Sequence, residues 1–230
     1  MQNLLLSTEH WLDYNVIDSL SIDKYIYLFK INIEQNYHLI DPNLVLSKEE
    51  LSKAGRFLKD QDKKRYIVSK YFLRILLSNF VKLKPSEISY HFIGNKKPAI
   101  DNLNFSVSHS GNYLIIGINT KPIGVDIEYI NIQFEIDDII QNSFSENEKS
   151  FINNGSNRTL NFYTLWTRKE ALLKATGEGL IDDLNQLEVL EKTISRNQEK
   201  FEISSWITKE QYLISFATNK SDKKLLYLQF

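Results

Sequence analysis

Cysteine is absent from this chain of 230 residues, which excludes disulfides, zinc–thiolate sites, iron–sulfur clusters and thiol nucleophiles. Glycine and proline are scarce, with eight and four residues, so we expect no Pro/Gly-rich linker and no low-complexity tail. No apolar run approaches the ~20 residues that a membrane span needs. The first residues also lack the basic and apolar regions of a signal peptide. These absences predict a cytoplasmic protein that has no membrane partner.

The chain also has no large excess of charge of one sign, because 28 Lys and Arg residues against 29 Asp and Glu residues give a net charge of −1. Such a chain has no global field that would draw it onto nucleic acid, so we expect no nucleic-acid partner. The Walker A loop and the G-x-G-x-x-G loop are also absent. Any phosphate site must therefore be built from other residues.

Strand and helix patterns are mixed along the chain without strict alternation, which predicts an α+β fold. The S-x-x-E spacing at Ser47 and Ser145 predicts two helix starts. Helical spacing of apolar residues predicts long helices over 62–81 and 159–176, the second ending at Gly177. Runs of aromatic and aliphatic residues predict strands over 21–33, 105–109, 113–119, 123–129, 187–190, 201–206, 211–218 and 225–228. Lys121-Pro122 predicts a boundary between two halves, 1–120 and 121–230.

Two carboxylates interrupt a run that otherwise indicates a buried strand, Gly124-Val125-Asp126-Ile127-Glu128. Residues two apart on a strand leave from the same face, so Asp126 and Glu128 lie side by side. Like charges this close raise each other's pKa unless a cation lies between them. The alternative is an edge strand with one wet face.

A helix farther along the chain supplies a third carboxylate. Trp166, Glu170 and Lys174 recur at i, i+4 and i+8, which places them on one stripe. The alternative is a solvated Glu–Lys pair, but the large Trp favours a stripe that is at least half buried. Three carboxylates meeting near a core would form an all-oxygen site for Mg²⁺ or Mn²⁺, and the lack of a nearby His makes zinc a poor fit.

The segment Ser106-Val107-Ser108-His109-Ser110-Gly111 ends a predicted strand with three hydroxyls and a His. Taken together, this segment, Gly124 to Glu128 and the helix from Trp166 to Lys174 resemble the three motifs of the 4′-phosphopantetheinyl transferases. The match is to the monomeric, surfactin-synthetase-activating type and extends over roughly residues 44–180. The resemblance implies two similar, pseudo-twofold-related α+β halves, each a small, mainly antiparallel sheet packed on a long helix. Coenzyme A would bind in the cleft between them.

The resemblance also implies roles for individual residues. Asp126, Glu128 and Glu170 match the family's Mg²⁺ ligands and active-site acids, and Lys174 matches its catalytic lysine. Contacts to coenzyme A are implied for Lys53, Arg65, Lys97, Pro98, Ser108, His109 and Lys174. Glu148 matches a glutamate that is often grouped with the active site.

Two positions depart from the family pattern. Glu50 stands where a basic residue would contact phosphate, so that contact is lost or moves to a neighbour. The usual Gly-Lys-Pro turn reads Lys96-Lys97-Pro98, with the glycine displaced to Gly94.

The reaction that the resemblance implies is Mg²⁺-dependent transfer of 4′-phosphopantetheine from coenzyme A to a serine of an acyl- or peptidyl-carrier protein, as in non-ribosomal peptide or polyketide synthesis. Adenosine 3′,5′-bisphosphate would be released, and Mn²⁺ could replace Mg²⁺. A monomer is expected, with the segment 129–144 as a candidate surface for the acidic carrier. Two alternatives remain: another Mg²⁺-dependent enzyme that cleaves pyrophosphates, and a non-catalytic module that binds coenzyme A or a carrier.

Overall fold

The computed structural model describes residues 4, 10–17, 19–93, 97–179 and 181–230. Its strands are β1 (Leu12–Asp13), β2 (Tyr25–Asn32), β3 (His91–Ile93), β4 (Lys97–Ala99), β5 (Asn104–Ser110), β6 (Tyr113–Asn119), β7 (Ile123–Tyr129), β8 (Thr193–Arg196), β9 (Glu199–Ile207), β10 (Tyr212–Asn219) and β11 (Lys224–Gln229). Its helices are α1 (Ile33–Tyr37), α2 (Lys48–Ala54), α3 (Asp60–Val81), α4 (Asp137–Ser143), α5 (Glu146–Asn154) and α6 (Arg158–Thr176).

The same connection occurs twice. In the first half β2 leads through helices into the long α3, and an antiparallel pair, β5 and β6, follows. In the second half β7 leads through helices into the long α6, and the pair β9 and β10 follows. The last strand of each pair lies between the other two, so the orders are β2-β6-β5 and β7-β10-β9. The predicted α+β fold of two similar halves is confirmed.

The two sheets are stacked between the two long helices. Apolar residues of α3 pack on β2, β5 and β6, and those of α6 pack on β7, β9 and β10. A third cluster, which includes Leu28, Ile115, Val125 and Ile214, joins the inner faces of the two sheets. Gly117 of β6 allows this stacking, because a Cβ there would lie 2.7 Å from a methyl carbon of Val125. The two halves therefore share one apolar interface.

The chain passes from the first sheet to the second between β6 and β7, where Lys121-Pro122 predicts a boundary. It returns at the end, because β11 pairs in parallel with β2. The full first sheet has the order β1-β11-β2-β6-β5, and the second has the order β7-β10-β9-β8. The halves are thus tied together by the final strand, and the division at 120 stays a prediction.

Most predicted elements are confirmed, including both capping boxes, at Ser47 and Ser145, and the end of α6 at Gly177. The predicted strand over 187–190 is wrong, since this segment is irregular. Its backbone groups form hydrogen bonds with side chains rather than with a neighbouring strand. The Val189 N–H donates to Glu148. The carbonyl oxygens of Val189 and Leu187 accept from Arg168 and Lys169, respectively. Across the described residues, no helix is long and apolar enough to cross a membrane.

Candidate active site

Strand β7 is the end strand of the second sheet, and its open edge faces β5 of the first sheet. The hydroxyl oxygens of Ser106 and Ser110 accept the backbone N–H groups of Val125 and Tyr129, each at 3.0 Å. Two serine side chains, four residues apart on β5, thus satisfy backbone donors of β7 that no strand pairs with. This contact brings β5 against the strand that carries Asp126 and Glu128.

Close packing of α6 on β7 brings the helix to the same place. Gly124 makes this possible, since a Cβ there would collide with the backbone of Ala171 and Ala175. Residues 170 and 174 lie one turn apart on α6, so the close approach sets their side chains beside β7. The glycine of the G-V-D-I-E run therefore has a packing role.

Asp126 and Lys174 form an ion pair across this contact, with 2.7 Å between Oδ1 and Nζ. The Ser108 hydroxyl donates to the same carboxylate oxygen at 2.7 Å and accepts from Lys174 at 2.9 Å. Asp126 and Ser108 are buried, and the Lys174 side chain is 30% exposed. Three predicted site residues, one from each of β5, β7 and α6, are therefore in direct contact.

The other two carboxylates lie near this contact. The Ser110 hydroxyl donates to Glu128 Oε2 at 2.8 Å. Burial, and then the charge of Asp126, raises the pKa of Glu128 to about 7. Burial and Asp126 also raise the pKa of Glu170. Burial raises the pKa of Asp126, although the Lys174 ammonium and the Ser108 hydroxyl oppose the effect. The carboxyl groups are held where their joint ionisation is unfavourable.

These residues fit a hard divalent cation in chemistry. They supply only oxygen ligands, and Asp126 Oδ2 is buried with no hydrogen-bond partner among the described residues. In their present positions, however, no three acidic or histidine side chains of the described chain converge on one point. Lys174 contacts Asp126, and Ser110 contacts Glu128 instead. Metal binding by Asp126, Glu128 and Glu170 stays a prediction.

Two neighbouring cavities open beside the acidic group. The larger has a volume of about 410 Å³ and lies between α3, β5 and α6. It is lined by Ser69, Lys70, Leu73, Pro98, Phe105, Ser106, Val107, Glu170, Leu173, Lys174, Gly177 and Gly179. The smaller, of about 170 Å³, is lined by Phe57, Asp62, Arg65, Tyr66, Ser69 and His109. Ser69 lines both, so the two cavities are adjacent, and the lining of the larger comes from both halves. We call the two cavities together the groove.

Two further predicted contacts to coenzyme A, Arg65 and His109, lie in the wall of the smaller cavity. Arg65 pairs with Asp62 in the wall of the smaller cavity. Desolvation, and then the charge of Arg65, lowers the pKa of His109 in the same wall. The Lys53 ammonium lies 5.3 Å from the centre of the Tyr66 ring.

Pro98 lines the larger cavity. The backbone of Lys97 belongs to β4, and its side chain lies outside the described part of the structure.

Two glutamates singled out in the sequence have structural partners. Glu50 accepts from the buried Arg74 at 2.7 Å, which explains why an acid stands at a position that is basic in the family. Glu148 forms a buried ion pair with Lys169, also at 2.7 Å.

Sequence reasoning missed the contacts of Ser106 and Ser110 with β7, although their spacing of two beside Ser108 was the available signal. It also missed Ser69 and Lys70, which occupy the groove side of α3.

Comparison with known proteins agrees with the motifs. Residues 122–221 match the family model described as 4′-phosphopantetheinyl transferase superfamily. Residues 36–121 match the model described as 4′-phosphopantetheinyl transferase, N-terminal. The chain belongs to the 4′-phosphopantetheinyl transferase superfamily. The two matches meet between residues 121 and 122, where the chain of this superfamily member passes from one sheet to the other.

Curated relatives carry the same superfamily name. A putative 4′-phosphopantetheinyl transferase of Synechocystis is 35% identical over 151 residues, covering 62% of this chain and 61% of the relative. HetI of Nostoc is 28% identical over 174 residues, covering 71% and 73%. Sfp of Bacillus subtilis is 32% identical over 150 residues, covering 63% and 66%. The chain thus spans about three fifths to three quarters of the length of these phosphopantetheinyl transferases.

Proposed function

We propose that this chain transfers the 4′-phosphopantetheine group of coenzyme A to a serine hydroxyl of an acyl- or peptidyl-carrier protein. The reaction would use Mg²⁺, or Mn²⁺ in its place, and would release adenosine 3′,5′-bisphosphate. The observation that carries the proposal is the contact of Lys174, Asp126 and Ser108 where the two halves meet. It sets the Lys174 ammonium and the carboxylates beside a cavity whose lining comes from both halves.

The residues suited to hold the divalent cation are Asp126, Glu128 and Glu170. Their pKa values are raised, and Asp126 Oδ2 has no hydrogen-bond partner within the described ranges, so a bound cation would stabilise the ionised carboxylates. When bound, Mg²⁺ would neutralise the pyrophosphate of coenzyme A and stabilise the leaving phosphate.

Two residues of α6 are proposed to act on the carrier's serine proton and on the charge of the leaving phosphate. In the transfer, the carrier's serine oxygen forms a bond to the phosphorus that bears the pantetheine arm, and the bond from that phosphorus to the bisphosphate oxygen breaks. Glu170 lines the groove, and its raised pKa makes it a better base for the serine proton than an ordinary glutamate, with a water as the alternative acceptor. Lys174, one turn away, would stabilise charge on the leaving phosphate.

The groove offers a place for each end of coenzyme A. The smaller cavity, with Arg65 and His109 in its wall, suits the phosphorylated nucleotide end. The larger cavity has an apolar lining that includes Leu73, Phe105 and Leu173, and it suits the pantetheine arm. Lys53, near the smaller cavity, would add a phosphate contact.

The carrier is proposed to dock next to Glu128. The candidate segment 129–144 divides in two: Ile136, Ile140 and Phe144 are buried in the core of the second half. Tyr129, the last residue of β7, and Ile132 and Phe134, in the segment after it, are exposed apolar side chains. We name these three residues the docking patch. Since every proposed site residue comes from one chain, a monomer would be competent, and the lack of cysteine agrees with a reducing, cytoplasmic setting.

The test is intact-protein mass spectrometry of an apo peptidyl-carrier domain incubated with this protein, coenzyme A and Mg²⁺. A matched sample contains EDTA in excess, and a third contains the carrier's Ser→Ala variant. We expect the carrier to gain the mass of one phosphopantetheine in the first sample only.

Other outcomes separate the alternatives. Cleavage of coenzyme A without a mass gain on any carrier would favour a pyrophosphate-cleaving enzyme. Binding of coenzyme A without cleavage or transfer, on several unrelated carriers, would favour a non-catalytic module. No binding of coenzyme A would contradict the proposal altogether.

A further inference from the structure

The three alternating serines of β5 make different contacts with β7. Ser106 accepts the Val125 N–H, which is a contact with the backbone and not with a side chain of β7. Ser110 uses both capacities of its hydroxyl: it accepts the Tyr129 N–H at 3.0 Å and donates to Glu128 Oε2 at 2.8 Å. The hydrogen bond from the Tyr129 N–H fixes the position of the Ser110 hydroxyl oxygen. The hydrogen bond from this hydroxyl then orients the carboxylate of Glu128, which belongs to the other half.

We propose that Ser110 is a positioning residue that orients Glu128 for the divalent cation. The inference rests on the proposed function, because it takes Glu128 to be a cation ligand. Ser110 belongs to the half that carries the groove residues of α3 and β5, whereas Glu128 belongs to the other half. The hydrogen bond therefore makes the geometry of the cation site depend on how the two halves meet.

The position of Glu128 explains why it needs such a partner. Asp126 lies deep in the contact, where Lys174 and Ser108 both hold its Oδ1 atom. Glu128 lies two residues nearer the end of β7, is only partly buried, and is followed by the exposed Tyr129. Its longer side chain has more rotamers to lose on ordering. Hydrogen bonds to ligating carboxylates typically orient them, and removing such a partner weakens metal binding.

The test measures Mn²⁺ affinity by isothermal titration calorimetry, without coenzyme A or carrier, so that turnover plays no part. Ser110→Ala removes the donor and should weaken Mn²⁺ binding by about 10- to 100-fold. Ser110→Thr keeps the hydroxyl and should bind Mn²⁺ like the wild type. Ser106→Ala is the matched control. It removes a hydrogen bond between β5 and the backbone of β7 that involves no carboxylate, so Mn²⁺ affinity should stay unchanged.

A double-mutant cycle separates positioning from general destabilisation. If Ser110 acts through Glu128, Ser110→Ala adds no further loss of Mn²⁺ affinity in a Glu128→Gln background. Thermal unfolding is recorded for every variant. Should Ser110→Ala not fold, Ser110→Cys, whose thiol is a weak donor, replaces it with the same expected direction.

Three results would overturn the inference. Ser110→Ala could bind Mn²⁺ as tightly as the wild type, or Ser106→Ala could lose as much affinity as Ser110→Ala. In both cases the wild type binds Mn²⁺, so the cation site survives and the positioning role alone fails. If the wild type binds no Mn²⁺, the cation site of the proposed function fails as well.

Discussion

The two halves are built on the same frame, which includes a corresponding ion pair in each, fully buried in the second half and partly buried in the first. A capping-box glutamate, Glu50 in the first half and Glu148 in the second, starts the short helix that precedes the long one. A basic side chain of the long helix forms an ion pair with that glutamate: Arg74 of α3 pairs with Glu50, and Lys169 of α6 pairs with Glu148. Each basic side chain also donates to two backbone carbonyls beyond the end of its helix. Arg74 donates to those of Pro85 and Ile88, and Lys169 donates to those of Leu184 and Leu187.

The two long helices differ at the positions that carry the proposed site on α6. When Arg74 is aligned with Lys169, the positions of Glu170 and Lys174 on α6 correspond to Ile75 and Asn79 on α3. Likewise β2, the counterpart of β7, contains no carboxylate. The ion pairs therefore belong to the shared frame, whereas the acidic residues of the proposed site occur in the second half and not at the corresponding positions of the first. Frame and site should therefore respond differently to substitution.

The largest expected effect is loss of stability on breaking a frame ion pair. Lys169→Met leaves Glu148 as an unpaired carboxylate in a site where both partners are 0% exposed. We expect about 3–5 kcal/mol of destabilisation, since breaking a buried pair strands a charge. Arg74→Met should cost less, because Glu50 retains 12% exposure and contact with water. Denaturant unfolding of both variants measures the difference, and equal stability to the wild type would contradict the shared frame.

The second prediction concerns the site that the first half lacks. Glu170→Gln keeps the shape of the side chain but removes its charge and its capacity as a base. We expect the transfer rate to fall at least ~10²-fold, as for the loss of one preorganised catalytic group, while the melting temperature changes little. Asn79→Ala, at the position that corresponds to Lys174 on α3, is the control and should keep the wild-type rate. Near-normal turnover by Glu170→Gln would remove its assigned role.

The third prediction is a dependence of stability on pH that belongs to the second half. Burial and Asp126 raise the pKa of Glu128 from 4.5 to about 7 in the folded protein. Between those values the folded state holds a proton that the unfolded state has released, so stability falls as pH rises through this window. With EDTA present, melting temperatures from about pH 5 to about pH 8 should decline, and less steeply in Glu128→Gln. Identical slopes would show that Glu128 titrates normally.

The smallest expected effect is on carrier binding. Ile132 of the docking patch and Leu39 of the first half are both 81% exposed, so substitution at either should leave the fold intact. Ile132→Glu adds a negative charge against an acidic partner and should raise the KM for the carrier by about 5- to 10-fold, with coenzyme A affinity unchanged. Leu39→Glu should leave both unaltered. Equal effects from the two variants would place the carrier elsewhere.

What the sequence predicts well here depends on spacing within one element. The shared face of Asp126 and Glu128, the stripe of Glu170 and Lys174, and the capping boxes all follow from the periods of strands and helices. They needed no knowledge of neighbouring elements.

Contacts between elements were harder to foresee. The Ser110 hydroxyl contacts β7 only because the open edge of this strand lies against β5 of the other sheet. Glu50 likewise pairs with Arg74, which is 24 residues away. The segment 187–190 has the composition of a strand, yet its backbone groups bond to side chains of α5 and α6. Tertiary contacts outweighed local preference at these places.

The central claim is that cation ligands of the second half and a groove shared by both halves meet at the pyrophosphate of coenzyme A. Pulsed electron–nuclear double resonance of Mn²⁺ with the protein and coenzyme A tests it most directly, because a ³¹P coupling reports phosphate bound to the cation. We predict a strong ³¹P coupling in the wild type and in Asn79→Ala, and its loss in Asp126→Asn. A coupling that persists in Asp126→Asn, or a wild-type spectrum of fully hydrated Mn²⁺, would contradict the account.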